Sequence, residues 1–250
     1  MNLLILGATG GTGQALVEQA LAQGHTVTAF ARNPAKVRAT QSNLRVFQGD
    51  ISNYDSLQAA IRGQDAVLSA LGIRVQVALL IVIVILCQFT ARLAHLTGAV
   101  GLLLRIGGPI LADIILFRRT TELSEGTKNV LRAMEALGVK RFVSESSLGI
   151  GDSKGQLGLL YNYVVIPVLL RNIFADKQVQ EKLIQNSNLD WVIVRPAVLT
   201  NGPRTGKYRA GFDSSDQSIR GRISRADVAD FMLGQVADPS YVRKTPGLSY

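Results

Sequence analysis

The stretch Gly7-Ala8-Thr9-Gly10-Gly11-Thr12-Gly13 constrains this chain more than any other. The apolar run Asn2-Leu3-Leu4-Ile5-Leu6 enters it, and residues 14–23 leave it with helical spacing. An apolar strand, a glycine turn and a helix together open the dinucleotide site of a doubly wound α/β domain. Gly7 lets the chain turn sharply out of the strand. Gly10 lets the backbone approach a pyrophosphate, and Gly13 lets the helix lie close to the strand. The first helical N–H groups and the helix dipole then face the phosphates. Gly7, Thr9, Gly10, Gly11, Thr12 and Gly13 are therefore the candidate phosphate-binding residues.

The rest of the chain continues the alternation. Residues 26–30, 44–48, 66–70, 141–146 and 191–194 read as strands. Residues 53–62, 121–137, 176–186 and 226–236 read as helices, with Gly24 and Gly138 as stops after two of the helical stretches. Strands that alternate with helices predict a parallel sheet covered on both faces, hence three layers. The length of 250 residues and the 47% apolar content fit a single domain over 1–250 with a large core. One segment breaks the rhythm. After the fourth strand, residues 75–119 form an apolar insertion, unbroken in hydrophobicity over 77–87 and nearly so over 93–104. A long insertion in such a domain is normally polar or a functional lid. Four readings stay open: a buried or partner-covered helical insertion, a membrane-associating hairpin, a gene-model artefact, or a mobile lid. The stretch 77–87 is too short to span a bilayer, and extension to 104 puts Gln88, Arg92 and His95 in the middle.

Composition removes several function classes. The single cysteine, Cys87, excludes an intrachain disulfide framework and fits a reducing compartment. His25 and His95 are the only histidines, so no metal site is expected. The net charge of +9 raises nucleic acid or an anionic membrane as partners. No dense Lys/Arg run with interleaved aromatics accompanies that charge, so nucleic acid is not expected. The first apolar run is five residues long and lacks a basic leader, so it reads as a strand and not as a signal peptide.

Ligands of doubly wound sheets sit beyond the strand C-termini. After the second strand, where an acid would bind the ribose 2′-hydroxyl of NAD, the chain has Ala31-Arg32-Asn33-Pro34. A carboxylate repels a 2′-phosphate, whereas a guanidinium pairs with it, so Arg32 selects NADP. Asp50, with Ile51 beside it, follows the third strand and either accepts from the adenine amino group or caps the helix that begins at Asn53. Ala70-Leu71-Gly72 after the fourth strand offers small residues against which ribose and phosphate can lie. Ser146 and Ser147 follow the fifth strand, and Pro196 the sixth. Trp191 alternates with apolar neighbours and reads as core. Arg220, Arg222 and Arg225 read as polar surface, and Ser224 with Asp227 has the pattern of a capping box.

Gly-Ala-Thr-Gly-Gly-Thr-Gly, Arg32-Asn33-Pro34, Gly49-Asp50, Asp65-Ala66-Val67, residues 125–130 and Val194-Arg195-Pro196 together resemble the atypical short-chain dehydrogenase/reductase superfamily, in its NAD(P)H-binding, NmrA-like branch. Residues 189–196, Gly206-Lys207-Tyr208 and residues 223–229 are similar to the biliverdin reductase B/flavin reductase family within it. The resemblance covers nearly the whole chain outside about 75–119. It implies a Rossmann-like fold, NADP as cofactor, and hydride transfer to a small or planar acceptor such as a flavin, quinone-like compound or bilin. It also implies site residues. Ser147 matches the serine that lies beside nicotinamide and substrate, and Lys177 stands where NmrA-like and isoflavone-reductase-like members carry a lysine that anchors ribose or acts as acid. Lys177 and Glu181 also have the i, i+4 spacing of an ordinary surface ion pair. The Tyr-x-x-x-Lys pair of the classical branch is absent, because Tyr161 is followed by Val165 and Tyr163 by Pro167. That absence, with the insertion, keeps a second reading open: a non-catalytic NADP-binding sensor or assembly factor. A sugar-nucleotide or isomerase-type role is disfavoured, since such members generally keep the pair. The expected location is cytoplasmic, or peripheral to a membrane on its cytoplasmic or stromal side, with a membrane or protein partner engaged through the insertion.

Overall fold

A computed structural model describes residues 1–72, 121–153, 156, 170–212 and 221–250. The insertion at 75–119, Cys87, His95, Tyr161, Tyr163 and Arg220 lie outside these residues. Among the described residues no helix is long and apolar enough to cross a membrane.

In chain order the described elements are β1 (Asn2–Leu6), α1 (Gly11–Ala22), β2 (Thr26–Ala31), β3 (Leu44–Gln48), α2 (Tyr54–Ile61) and β4 (Ala66–Ser69). Then come α3 (Glu122–Leu137), β5 (Arg141–Glu145), α4 (Arg171–Gln185), β6 (Asp190–Pro196), β7 (Val198–Thr200), β8 (Arg209–Ala210), β9 (Arg222–Ser224), α5 (Arg225–Gly234) and β10 (Gly247–Ser249). The main sheet has the order β3-β2-β1-β4-β5-β6-β10-β8. All its pairs are parallel except β10 with β8. The first six strands follow the order of a Rossmann sheet, whose topological switch point lies between β1 and β4.

The layers follow from strand periodicity. Leu3, Ile5, Val27, Ala29, Leu68, Val143 and Val192 point to one face, where α1 and α5 pack side by side. Leu4, Leu6, Phe30, Val67, Phe142, Trp191 and Ile193 point to the other, under α2, α3 and α4. Both faces of each central strand are thus buried, which is why these strands are apolar runs and not alternating ones. Caps set the ends. Asn53 Oδ1 accepts from Ser56 N at 3.0 Å to open α2, and Ser224 Oγ accepts from Asp227 N at 3.0 Å to open α5. Gly138, at φ 72°, closes α3 in the left-handed conformation.

Three features differ from the sequence expectation. Helix α4 begins at Arg171, five residues earlier than 176. Strands β8 and β10 extend the sheet beyond β6. A separate parallel pair, β7 with β9, places Thr200 opposite Ser224.

Candidate functional site

The loop after β1 is wedged into the switch point. Gly7 has φ +76°, and a Cβ there would meet the Ala70 carbonyl oxygen at 2.4 Å. A Cβ on Gly13 would meet the Gly7 carbonyl oxygen at 2.0 Å. Only glycine allows α1 to start this close to β1 and to the loop after β4, so Ala70, Leu71 and Gly72 lie against the same crevice as the glycine turn. Gly10 is the N-cap of α1 and supplies no side-chain hydrogen bond. The first-turn amides, which every helix leaves without intrahelical acceptors, therefore open onto the C-terminal edge of the sheet. A pyrophosphate fits this cradle, and a side chain at position 7 or 13 does not.

Arg32 follows β2 and is exposed, with no acid beside it in the chain. Asp50 lies close enough for the arginine charge to be felt. Hydrogen bonds from Ser52 N at 2.9 Å and Ser52 Oγ at 2.7 Å hold its carboxyl below the usual range, and Arg32 adds to that effect. Of the two roles open for Asp50, the structure removes the cap, which Asn53 provides. Ile51 turns inward instead. Its side chain fills the space over Gly126, where a Cβ would meet Cδ1 at 2.3 Å, and its carbonyl accepts from Asn129 Nδ2 at 3.1 Å. Ile51 thus packs against α3.

The C-terminal ends of β5 and β6 carry a buried cluster of charge. Arg195, 3% exposed, forks onto Glu181, with Nε to Oε1 at 3.1 Å and Nη2 to Oε2 at 2.7 Å. Its Nη1 pairs with Asp152. Burial works against the Arg195 charge, but its hydrogen bonds to Glu181 and Asp152, with the charges of those carboxylates, outweigh it and hold the guanidinium above its ordinary value. Ser146 Oγ donates to Glu181 Oε1 at 2.5 Å. Lys177, 9% exposed, donates to the Ser146 carbonyl at 3.3 Å. Glu145, 7% exposed, accepts from Thr12 Oγ1 at 3.1 Å. Burial pushes the Glu145 carboxyl up, although Lys177, Thr12 and Arg225 pull the other way. Burial pushes Lys177 down against the charges of Glu145, Glu181 and Asp176. Glu145 and Lys177 thus form a coupled pair in which loss of water favours the neutral forms. Because Thr12 belongs to the glycine turn, this pair is tied to the phosphate cradle.

The structure brings Ser146 and Lys177 together and sets Ser147 next to them. Ser147 is half-buried, and its Oγ donates to the Leu148 carbonyl at 3.1 Å. Among the described residues no hydrogen bond joins Ser147 to Lys177. Pro196 is buried in β6, and its carbonyl accepts from Leu148 N at 3.0 Å, which fixes the chain just beyond Ser147. Thr9 sits half-buried at the rim of the cradle. Two expectations are corrected. Lys177 and Glu181 are not a surface ion pair, since both are buried and Glu181 is engaged by Arg195 and Ser146. Arg225 is not simple polar surface, since its side chain lies over Gly11. Sequence reasoning took Glu181 only as the surface partner of Lys177, placed Glu145 only by its position after the fifth strand, and gave no role to Asp152. For Glu145 a signal was available: a charged residue within an otherwise core strand needs a buried partner.

The family model described as NAD(P)H-binding matches residues 7–239. An uncharacterized chloroplastic protein of Arabidopsis thaliana is 28% identical over 235 residues, 92% of this chain and 69% of that one. The photosystem II assembly factor Ycf39 of Synechocystis is 24% identical over 253 residues, 98% of this chain but 61% of that one, so this chain spans less than two thirds of that relative. In fold, the chain is similar to ChuY, an anaerobilin reductase from Escherichia coli O157:H7, with a TM-score of 0.68 and 23% identity across 100% of this chain and 97% of that one.

Proposed function

This chain belongs to the NAD(P)H-binding family, and from that premise we propose that it is an NADPH-dependent reductase of a small or planar acceptor such as a flavin, quinone-like compound or bilin. The observation that carries the reading is the buried Lys177, whose Nζ donates to the Ser146 carbonyl, with Glu145, the acceptor of Thr12, close enough for its charge to be felt. A lysine held in a water-poor site with depressed proton affinity is suited to give up a proton or to anchor a ribose hydroxyl. The glycine turn and the first turn of α1 hold the pyrophosphate. Arg32 pairs with the 2′-phosphate and so favours NADP over NAD. The nicotinamide, bound there, supplies hydride. Ser147 donates a hydrogen bond to charge that develops on the acceptor, and Lys177 supplies a proton or positions the ribose. Similarity in fold to a bilin reductase supports a planar acceptor.

The test is a panel of flavins, quinones and bilins incubated with NADPH and the protein, followed by loss of reduced-nicotinamide absorbance. Turnover of at least one acceptor that falls in Lys177→Met is the expected result. In parallel, Arg32→Asp weakens NADPH binding by about 10- to 100-fold, the loss of one charge-assisted contact, and leaves NADH binding no weaker. An unchanged preference for NADPH in that variant removes Arg32 from cofactor selection.

Similarity to Ycf39 favours a second reading, a non-catalytic NADP-binding assembly factor at a membrane. NADPH binding without turnover on every acceptor is the outcome that selects it. Residues 75–119 are then the proposed contact to a membrane or protein partner.

A further inference from the structure

Gly11 has no duty in a turn whose three required glycines are Gly7, Gly10 and Gly13. Its neighbour accounts for it. A Cβ on Gly11 would meet Arg225 Cδ at 2.5 Å and Nε at 2.9 Å, so the arginine stem lies flat across the first turn of α1. The topology brings this about. Parallel pairing of β7 with β9 sets Thr200 opposite Ser224, so the next residues, Asn201 and Arg225, leave the pair side by side. Arg225 Nη1 donates to Asn201 Oδ1 at 2.6 Å. Asp227 holds the chain beyond Asn201 in place, accepting from Thr205 N at 2.7 Å and Gly206 N at 2.9 Å.

Glu145 feels the Arg225 charge, but burial pushes its carboxyl toward the neutral form, so this placement is left short of negative charge. Arg225 is the first residue of α5, and a cation is disfavoured at a helix N-terminus. It reaches over the N-terminus of a second helix, α1. Its hydrogen-bond partner is a neutral amide, and among the described residues no carboxylate forms an ion pair with it. Two helix dipoles and a guanidinium converge beside the glycine turn, and a bridging anion reverses all three repulsions.

We propose that Arg225, held by Asn201, is a ligand of the cofactor pyrophosphate, so that α1 offers backbone amides on one side and α5 a guanidinium on the other. The proposal rests on the reading that this chain binds NADPH, and it adds a contact which the glycine motif does not contain. It also gives Gly11 a purpose, namely room for the arginine stem.

The test compares NADPH, ADP-ribose and 2′-AMP by isothermal titration calorimetry on the full chain. Arg225→Met keeps the stem over Gly11 and removes the guanidinium. NADPH and ADP-ribose are expected to bind about 10- to 100-fold more weakly, whereas 2′-AMP, which has no pyrophosphate, changes by less than about twofold. Arg225→Lys, which keeps the charge, recovers part of the loss. Equal NADPH affinity in Arg225→Met and wild type overturns the proposal, as does equal weakening of all three ligands. Arg225→Gln, judged on the same three ligands, replaces the methionine variant if that one does not fold. Wild-type protein that binds no NADPH refutes the underlying cofactor reading, a result distinct from either of these.

Discussion

The carboxyl of Glu145 is surrounded by chain and not by water, and its consequence is a pH dependence of a definite sign. Its proton affinity in the fold is raised above the ordinary glutamate value of 4.5. Below that value the folded and unfolded chains both carry the proton. As pH rises above it, the unfolded chain ionises first, so the stability contribution of the protonated form is lost until the folded value is passed. Glu145→Gln removes this loss while it keeps the size and a hydrogen-bonding oxygen for Thr12. The unfolding midpoint of the variant is expected to gain on wild type with increasing pH above the glutamate value, by up to about 1.4 kcal/mol per pH unit within the window. A constant offset between the two proteins at all pH values would contradict it. At this scale the need for glycine at Gly7 and Gly13 is legible in the sequence, because the strand, turn and helix that require it are contiguous. The sequence signals that Glu145 needs a buried partner but conceals which one, because the hydroxyl that donates to it, Thr12, is 133 residues away.

Helix α4 shows why an element is harder to read than its residues. Its buried face is Asp176, Lys177, Gln180, Glu181 and Ile184, and its Val179 is 50% exposed. A helix with that stripe looks like solvated surface when periodicity is judged by hydrophobicity. Each polar member has a partner from another element. Asp176 accepts from Leu123 N at 3.1 Å and Ser124 N at 3.2 Å, and Gln180 donates to Thr127 Oγ1 at 2.9 Å. Lys177 donates to the Ser146 carbonyl, and Glu181 accepts from Ser146 and Arg195. Asp176 in effect caps α3, whose own N-cap residue Thr121 makes no side-chain cap bond. Asp176→Ala is therefore expected to cost about 1–2 kcal/mol, read as a drop of a few degrees in Tm. An unchanged Tm would show that the cap contributes nothing. The strands β1 to β6 and the helices α1 to α3 were legible because apolar runs, asparagine caps and glycine stops act locally. The true start of α4 was not, since its buried side is satisfied by hydrogen bonds and ion pairs and not by apolar packing.

For the molecule as a whole, parallel order explains both what was foreseen and what was missed. Doubly wound topology follows from strand–helix alternation, so the arrangement around β1 and β4 was expected. Strands β8 and β10 have two and three residues, too few for a periodic signal; β10 forms on the edge that β6 offers, and β8 on the edge of β10. The same order has a consequence in time. Leu3 pairs with Ala66, and Ala66 with Arg141, so the central ladder joins residues distant in sequence. Such pairings close long loops before any contact rewards them, which makes folding slow. The glycine turn packs against the Ala70 carbonyl, so the expectation is that it takes shape after β1 and β4 have met and that the site is a late product of folding. Saturating NADPH is accordingly expected to slow unfolding in stopped-flow denaturant jumps and to leave the refolding rate almost unchanged. Faster refolding with NADPH would mean that the turn forms early. On this account a bound cofactor would act as a latch on a finished fold, lengthening the lifetime of the protein without hastening its birth.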